Sequence, residues 1–135
     1  MKIERFEDIE AWQLARELTR EVYRLTKKTR FAKDCSGSRV HGSEVQRFRG
    51  LQDAAGSSMH NIAEGFDSET NAEFMRFLRY AKRSCTEVQS ELYVALDEKY
   101  IAPSEFEDVY EQARRTRAAV RGFINYLKRY EERKI

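Results

Sequence analysis

Seven apolar residues, Phe74, Leu78, Ala81, Cys85, Val88, Leu92 and Ala95, recur at alternating steps of four and three. A strand, whose side chains alternate with period two, cannot put them on one face. A helix can, and this alternation is the seam of helices packed antiparallel against one another. Phe77, Tyr80, Tyr93 and Leu96 flank the seam and add further apolar surface. A helix that is apolar on more than one side is covered on more than one side. That points to self-association, although the same residues read as plainly as a widened core stripe. Thr70 or Asn71 stands where an N-cap belongs, with Glu73 in the first turn where the helix dipole favours a carboxylate.

Three further segments supply partners for the seam. From about Phe6 to Thr29, Trp12, Ala15, Leu18, Val22 and Leu25 mark one helical face. From Ser43, capped with Gln46 as its box partner, the stripe is Val45, Phe48, Leu51 or Gln52, Ala55, Met59 and Ile62. From Ser104, which forms an S-x-x-E capping box with Glu107 after Pro103 stops the preceding helix, the stripe is Phe106, Val109, Ala113, Val120, Ile124 and Leu127. No stretch alternates with period two. The expected fold is all-α, an antiparallel up-down-up-down four-helix bundle forming a single domain over 1–135. Its helices are expected at about 6–29, 43–65, 71–98 and 104–132. Between the first two, Arg30 to Gly42 holds Gly, Ser and basic residues without periodicity and reads as a long connection.

The second segment has an unusual run, Ala54-Ala55-Gly56-Ser57-Ser58, followed by Asn61-Ile62-Ala63-Glu64-Gly65-Phe66. A helix-interior Gly costs about 1 kcal/mol relative to Ala, and close approach of a neighbouring helix is the simplest offset, so Gly56 is expected at a tight contact. Gly65 is expected to end the helix in a left-handed conformation. Glu64 then lies beside the negative end of the helix dipole and needs a specific partner. Asn61 and Glu64 are expected to hydrogen-bond to free backbone groups of a neighbouring helix end or loop, with Glu87 joining the same network.

Chemistry of other kinds finds little support. The two cysteines, Cys35 and Cys85, lie fifty positions apart with no CxxC or Cys/His cluster, which argues against zinc. A di-iron bundle needs Glu-x-x-His pairs, and His60 has Ser57 at that position. Ser57, Ser58 and Ser84 lack any nucleophile motif. The reading is therefore a protein that is not an enzyme and has no cofactor or metal. No apolar run approaches the roughly 20 residues of a membrane span, and the start, MKIERFEDIEAW, has no signal-peptide core, so a cytoplasmic location is expected and no membrane contact. The net charge is only +2, too mild to announce nucleic-acid binding. The fourth segment is nonetheless basic on its outer faces. Arg114, Arg117, Arg121 and Lys128 share one side of it and are the candidate contacts to RNA or DNA. The favoured reading is a homo-oligomeric scaffold or interaction module that binds a protein partner. The alternative is a nucleic-acid-binding accessory protein.

Taken together, Trp12 in its Ile9-Glu10-Ala11-Trp12 context, Ala54-Ala55 with Ser57-Ser58, the NIAEGF run, Glu73-Phe74 with Arg76-Phe77-Leu78, and Ser84, Glu87 and Leu92 resemble the S23-like family. Its members are small bundles encoded within intervening sequences of bacterial 23S ribosomal RNA genes. The likeness spans essentially the whole chain. It implies a four-helix bundle assembled as a ring-shaped homopentamer, and a similarity in fold to the basic accessory variability determinant of diversity-generating retroelements. The Cys35 to Gly42 stretch is longer than the family's usual connection, and the chain is less basic than the retroelement proteins.

Overall fold

The four periodic segments are four helices. The computed structural model describes residues 3–28 and 42–134, with side chains at 3–27 and 48–133. After a 3-10 turn at Phe6–Asp8 come α1 (Glu10–Lys28), α2 (Gly42–Phe66), α3 (Asn71–Asp97) and α4 (Pro103–Lys134). No strand occurs among the described residues. Helices α2 and α3 pack together, as do α3 and α4, while α1 closes the square by packing on both α2 and α4. Each neighbouring pair runs antiparallel, an up-down-up-down bundle. The Arg30 to Gly42 connection expected from the sequence lies outside the described residues, apart from Gly42.

All seven seam residues of α3 are buried, as are Leu18, Val22, Leu51, Ile62, Val120 and Leu127 on the other helices. The core falls into two apolar clusters, one around Leu18, Leu51, Val88 and Leu92 and one around Ile62, Leu78, Ala81 and Val120. Polar side chains crosslink the helices between them. Thr19 Oγ1 donates to the Ala55 carbonyl at 3.0 Å, Ser84 Oγ to Ser57 Oγ at 3.0 Å, and Gln112 Nε2 to the Leu14 carbonyl at 3.0 Å. Buried Thr116 adds bonds to Gln112 and Leu14 carbonyls. A buried polar atom without a partner is costly, so these bonds hold the helices in one register.

The helix ends differ from expectation in instructive ways. The first helix starts at Glu10, because Ile9 is extended (φ −77°, ψ 121°) and Phe6–Asp8 forms a separate turn whose Phe6 ring meets Trp12 edge-on at 5.1 Å. Thr70 caps α3, its Oγ1 accepting from the Glu73 N–H at 3.1 Å. At the far end of α3, Lys99 is left-handed (φ 63°), with Tyr100 N–H on the Ala95 carbonyl and Lys99 N–H on the Leu96 carbonyl, a Schellman motif built without glycine. The α4 start is two residues earlier than the Ser104–Glu107 box implies. Ala102 precedes the helix, Glu105 Oε1 accepts from its N–H at 2.7 Å, and Pro103 is the first helical residue, where its missing N–H costs nothing. Helix α2 begins at Gly42, so Ser43 is inside it.

The NIAEGF run is also reassigned. Gly65 has no positive φ, and α2 continues through it to Phe66, with Ser68 capping the Gly65 carbonyl by N–H (3.1 Å) and hydroxyl (2.5 Å). Glycine is required here for space: a Cβ would stand 2.8 Å from both Phe74 Cδ1 and Phe77 Cβ. Gly56, expected at the tight contact, is open; a Cβ would meet only His60, at 3.7 Å. Asn61 does not reach a neighbouring element. Its Nδ2 donates to Ser57 O and Ser57 Oγ of its own helix, both at 2.9 Å. Glu64 and Glu87 are solvent-exposed and join no such network. Water can solvate both carboxylates, so no specific partner is needed.

Candidate nucleic-acid interface

Helices α3 and α4 meet in a regular antiparallel ladder. Arg117 Nε donates to Thr86 Oγ1 at 3.1 Å, and seven residues along each helix Tyr93 meets Tyr110, ring centroids 5.8 Å apart. The register pairs Lys82 with Arg121 and Gln89 with Arg114 on the same outer face, since residues at three- and four-residue steps share a face. Between the helices lies a groove of about 330 Å³ lined by Thr86, Gln89, Arg114, Arg117, Ala118 and Arg121.

One half of the ladder is cationic. Lys82 is held below the usual lysine pKa, first by desolvation and then by repulsion from Arg117, Arg121, Arg79 and Lys128. Several basic residues elsewhere find acids: Arg5 pairs with Glu7, Arg20 and Arg24 with Glu17, and Arg76 with Glu73. Among the described residues, none of Arg79, Lys82, Arg117, Arg121 and Lys128 is in an ion pair. A chain of net charge +2 thus gathers five uncompensated cations on one surface.

Of the four residues expected from sequence, Arg117, Arg121 and Lys128 belong to this cluster. Arg114 lines the groove but is committed to Glu111 of its own helix, Nε to Oε1 at 2.8 Å and Nη2 to Oε2 at 2.6 Å. The pair lowers the Glu111 pKa and raises that of Arg114, in each case chiefly through the hydrogen bond. Arg79 and Lys82 are not among the residues expected from sequence: they sit on α3, and only helix packing brings them beside the arginines of α4. The one available signal was the three- and four-residue spacing of Arg79, Lys82, Thr86 and Gln89 beside the seam.

The other half of the ladder is aromatic. Tyr93 lies 4.9 Å from Phe106 and 5.8 Å from Tyr110, and Phe106 stacks on Tyr110 at 5.2 Å. Tyr93 is 50% exposed, and its phenol pKa is raised by the neighbouring Tyr110. Tyr126 and Tyr130, the tyrosines nearest the basic residues in sequence, are exposed but turned away. Tyr126 is nine residues past Arg117, about two and a half helical turns, hence on the opposite side. Phe77 and Tyr80, read with Tyr93 as one extra apolar surface, belong elsewhere: Phe77 packs by Gly65, and Tyr80 is flanked by the Arg76 and Arg83 guanidinium groups at 5.9 and 5.6 Å.

The buried Cys85 thiol, pushed up to about 12 by desolvation, stays protonated at neutral pH and is a packing group. Among the described residues no three His, Cys, Asp or Glu side chains gather as metal ligands, and no helix is long and apolar enough to cross a membrane.

The family model described as 23S rRNA-intervening sequence protein matches residues 7–122. The chain belongs to this family. The match covers α1 to α3 and most of α4, and so includes the whole ladder from Lys82–Arg121 to Tyr93–Tyr110. A crystal structure of an S23 ribosomal protein family member of unknown function from Bacteroides thetaiotaomicron VPI-5482 superposes with a TM-score of 0.70 at 17% identity. The superposition covers 84% of this chain and 97% of that one, a likeness of fold. No curated protein matches the chain.

Proposed function

We propose that this member of the 23S rRNA-intervening sequence family is a non-enzymatic, cytoplasmic protein that binds nucleic acid through its phosphates, without reading sequence, in the α3/α4 groove. The observation that carries this reading is the cluster of five cations without an ion pair among the described residues, with Lys82 made easier to deprotonate by desolvation and then by its neighbours. Like charges held together repel, and a polyanion relieves that repulsion while releasing its own condensed counterions. Three to five phosphates bound on a single strand would give a log–log salt slope of roughly −2 to −3.5, at about −0.7 per phosphate. The test is titration of RNA and DNA at two salt concentrations with wild type and with Arg79→Gln/Lys82→Gln/Arg117→Gln/Arg121→Gln. Support is salt-sensitive binding that the variant loses with its helix content intact. Absence of binding at low salt, or equal binding by the variant, refutes it.

A second reading, a homo-oligomeric scaffold assembled as a ring of five copies, is favoured by Gly56. It bears the helix-interior glycine cost of about 1 kcal/mol with nothing nearer than His60, at 3.7 Å, among the described residues. Close approach of a second copy would account for it. Light scattering of wild type and Gly56→Leu tests this: wild type assembled and variant dissociated supports it, and a monomeric wild type at micromolar concentration refutes it. In a ring, repeated grooves would add weak phosphate contacts through effective concentration.

A further inference from the structure

We infer that the aromatic end of the α3/α4 ladder is a base-stacking platform, so that the groove takes single-stranded nucleic acid in preference to duplex, with Tyr93 stacking on a base. This rests on the phosphate-binding reading above and names its ligand class. Three observations carry it.

The first is continuity. Tyr93–Tyr110 lies one heptad from Thr86–Arg117 in the same register, about 10 Å along the helices, so the platform and the cationic floor form one track. The second is spacing. Successive rungs of this ladder stand three or four residues apart, roughly 4.5–6 Å, whereas the phosphates of a strand in B-form duplex advance about 3.4 Å along the axis. A strand that follows the rungs is therefore stretched and partly unstacked, which frees base faces. The third is the state of the ring. Tyr93 is braced by Phe106 and Tyr110 yet remains 50% exposed, so an aromatic face is open and already oriented. Every base has a π-face, so stacking here adds affinity without sequence choice.

The experiment uses three probes of equal length: a single-stranded oligonucleotide, the same sequence as a duplex, and a single strand of abasic sites that keeps the phosphates and loses the bases. Wild type is expected to bind the single strand tightest. Tyr93→Leu keeps an apolar group against Phe106 and is expected to lose roughly 5- to 150-fold in affinity for the single strand, the usual range for one stacked base. Its affinity for the abasic strand and its salt slope should stay unchanged. Tyr93→Phe retains the ring and is expected to bind like wild type, which separates stacking from any structural role of the phenol. Equal wild-type affinity for single-stranded and abasic probes, or an unchanged Tyr93→Leu, overturns the platform while phosphate binding stands. Failure of wild type to bind any of the three overturns both.

Discussion

Replacing Gly65 by Ala tests what the NIAEGF motif is for. In helical backbone, Ala is favoured over Gly by about 1 kcal/mol, so the substitution would ordinarily stabilise α2. Here the new Cβ arrives 2.8 Å from Phe74 Cδ1 and 2.8 Å from Phe77 Cβ. Neither can retreat freely. The Phe77 Cβ is tied to the α3 backbone, and the Phe74 ring is held edge-on between Phe66 at 6.2 Å and Phe123 at 5.4 Å. Relief requires α2 and α3 to separate by several tenths of an ångström along their shared interface. Overpacking of this kind costs about 1–3 kcal/mol, and two immovable contacts place the cost near the top of that range. After the propensity gain, the net loss is about 2 kcal/mol, roughly 6–10 °C in Tm for a chain of this size. Thermal and urea unfolding followed by circular dichroism measure it directly. Gly65→Asn separates this account from a left-handed cap. Asn tolerates a left-handed cap, so it would outperform Ala if the cap mattered, whereas a close approach makes the larger Asn worse than Ala. A Gly65→Ala protein at least as stable as wild type, or an Asn variant more stable than the Ala variant, would refute the reasoning.

Two further outcomes follow from the helix end and the charge cluster. Lys99→Gly should raise stability by about 1 kcal/mol, because a left-handed lysine at φ 63° is strained by about 1–2 kcal/mol and glycine's greater unfolded entropy returns part of the gain; chemical denaturation reads it as a higher midpoint at unchanged slope. In a side-chain NMR titration Lys82 should deprotonate at lower pH than an ordinary lysine, and its pKa should rise when Arg117 becomes Gln or when polyphosphate is added. Because the unfolded chain holds that proton more tightly, the Lys82 contribution to stability rises with pH from its lowered folded pKa up to the ordinary lysine value.

The helical periods were legible in the sequence because they are local. The four-three alternation of α3 required one apolar face whatever lay opposite, and every residue of it is buried. The Thr70 cap was equally readable, since cap and capped N–H are three residues apart. The small-residue run announced a constraint but not its location. Gly56 and Gly65 share one helix, and only the placement of Phe74 and Phe77 by α3 makes Gly65 the crowded one. The groove was half legible for the same reason. Periodicity puts Arg117 and Arg121 on one side of α4, but a groove belongs to two helices, and packing alone rotates Arg79 and Lys82 toward those arginines and Tyr93 toward Tyr110. Sequence spacing determines which residues share a helix face; the register and rotation set by core packing decide which faces meet.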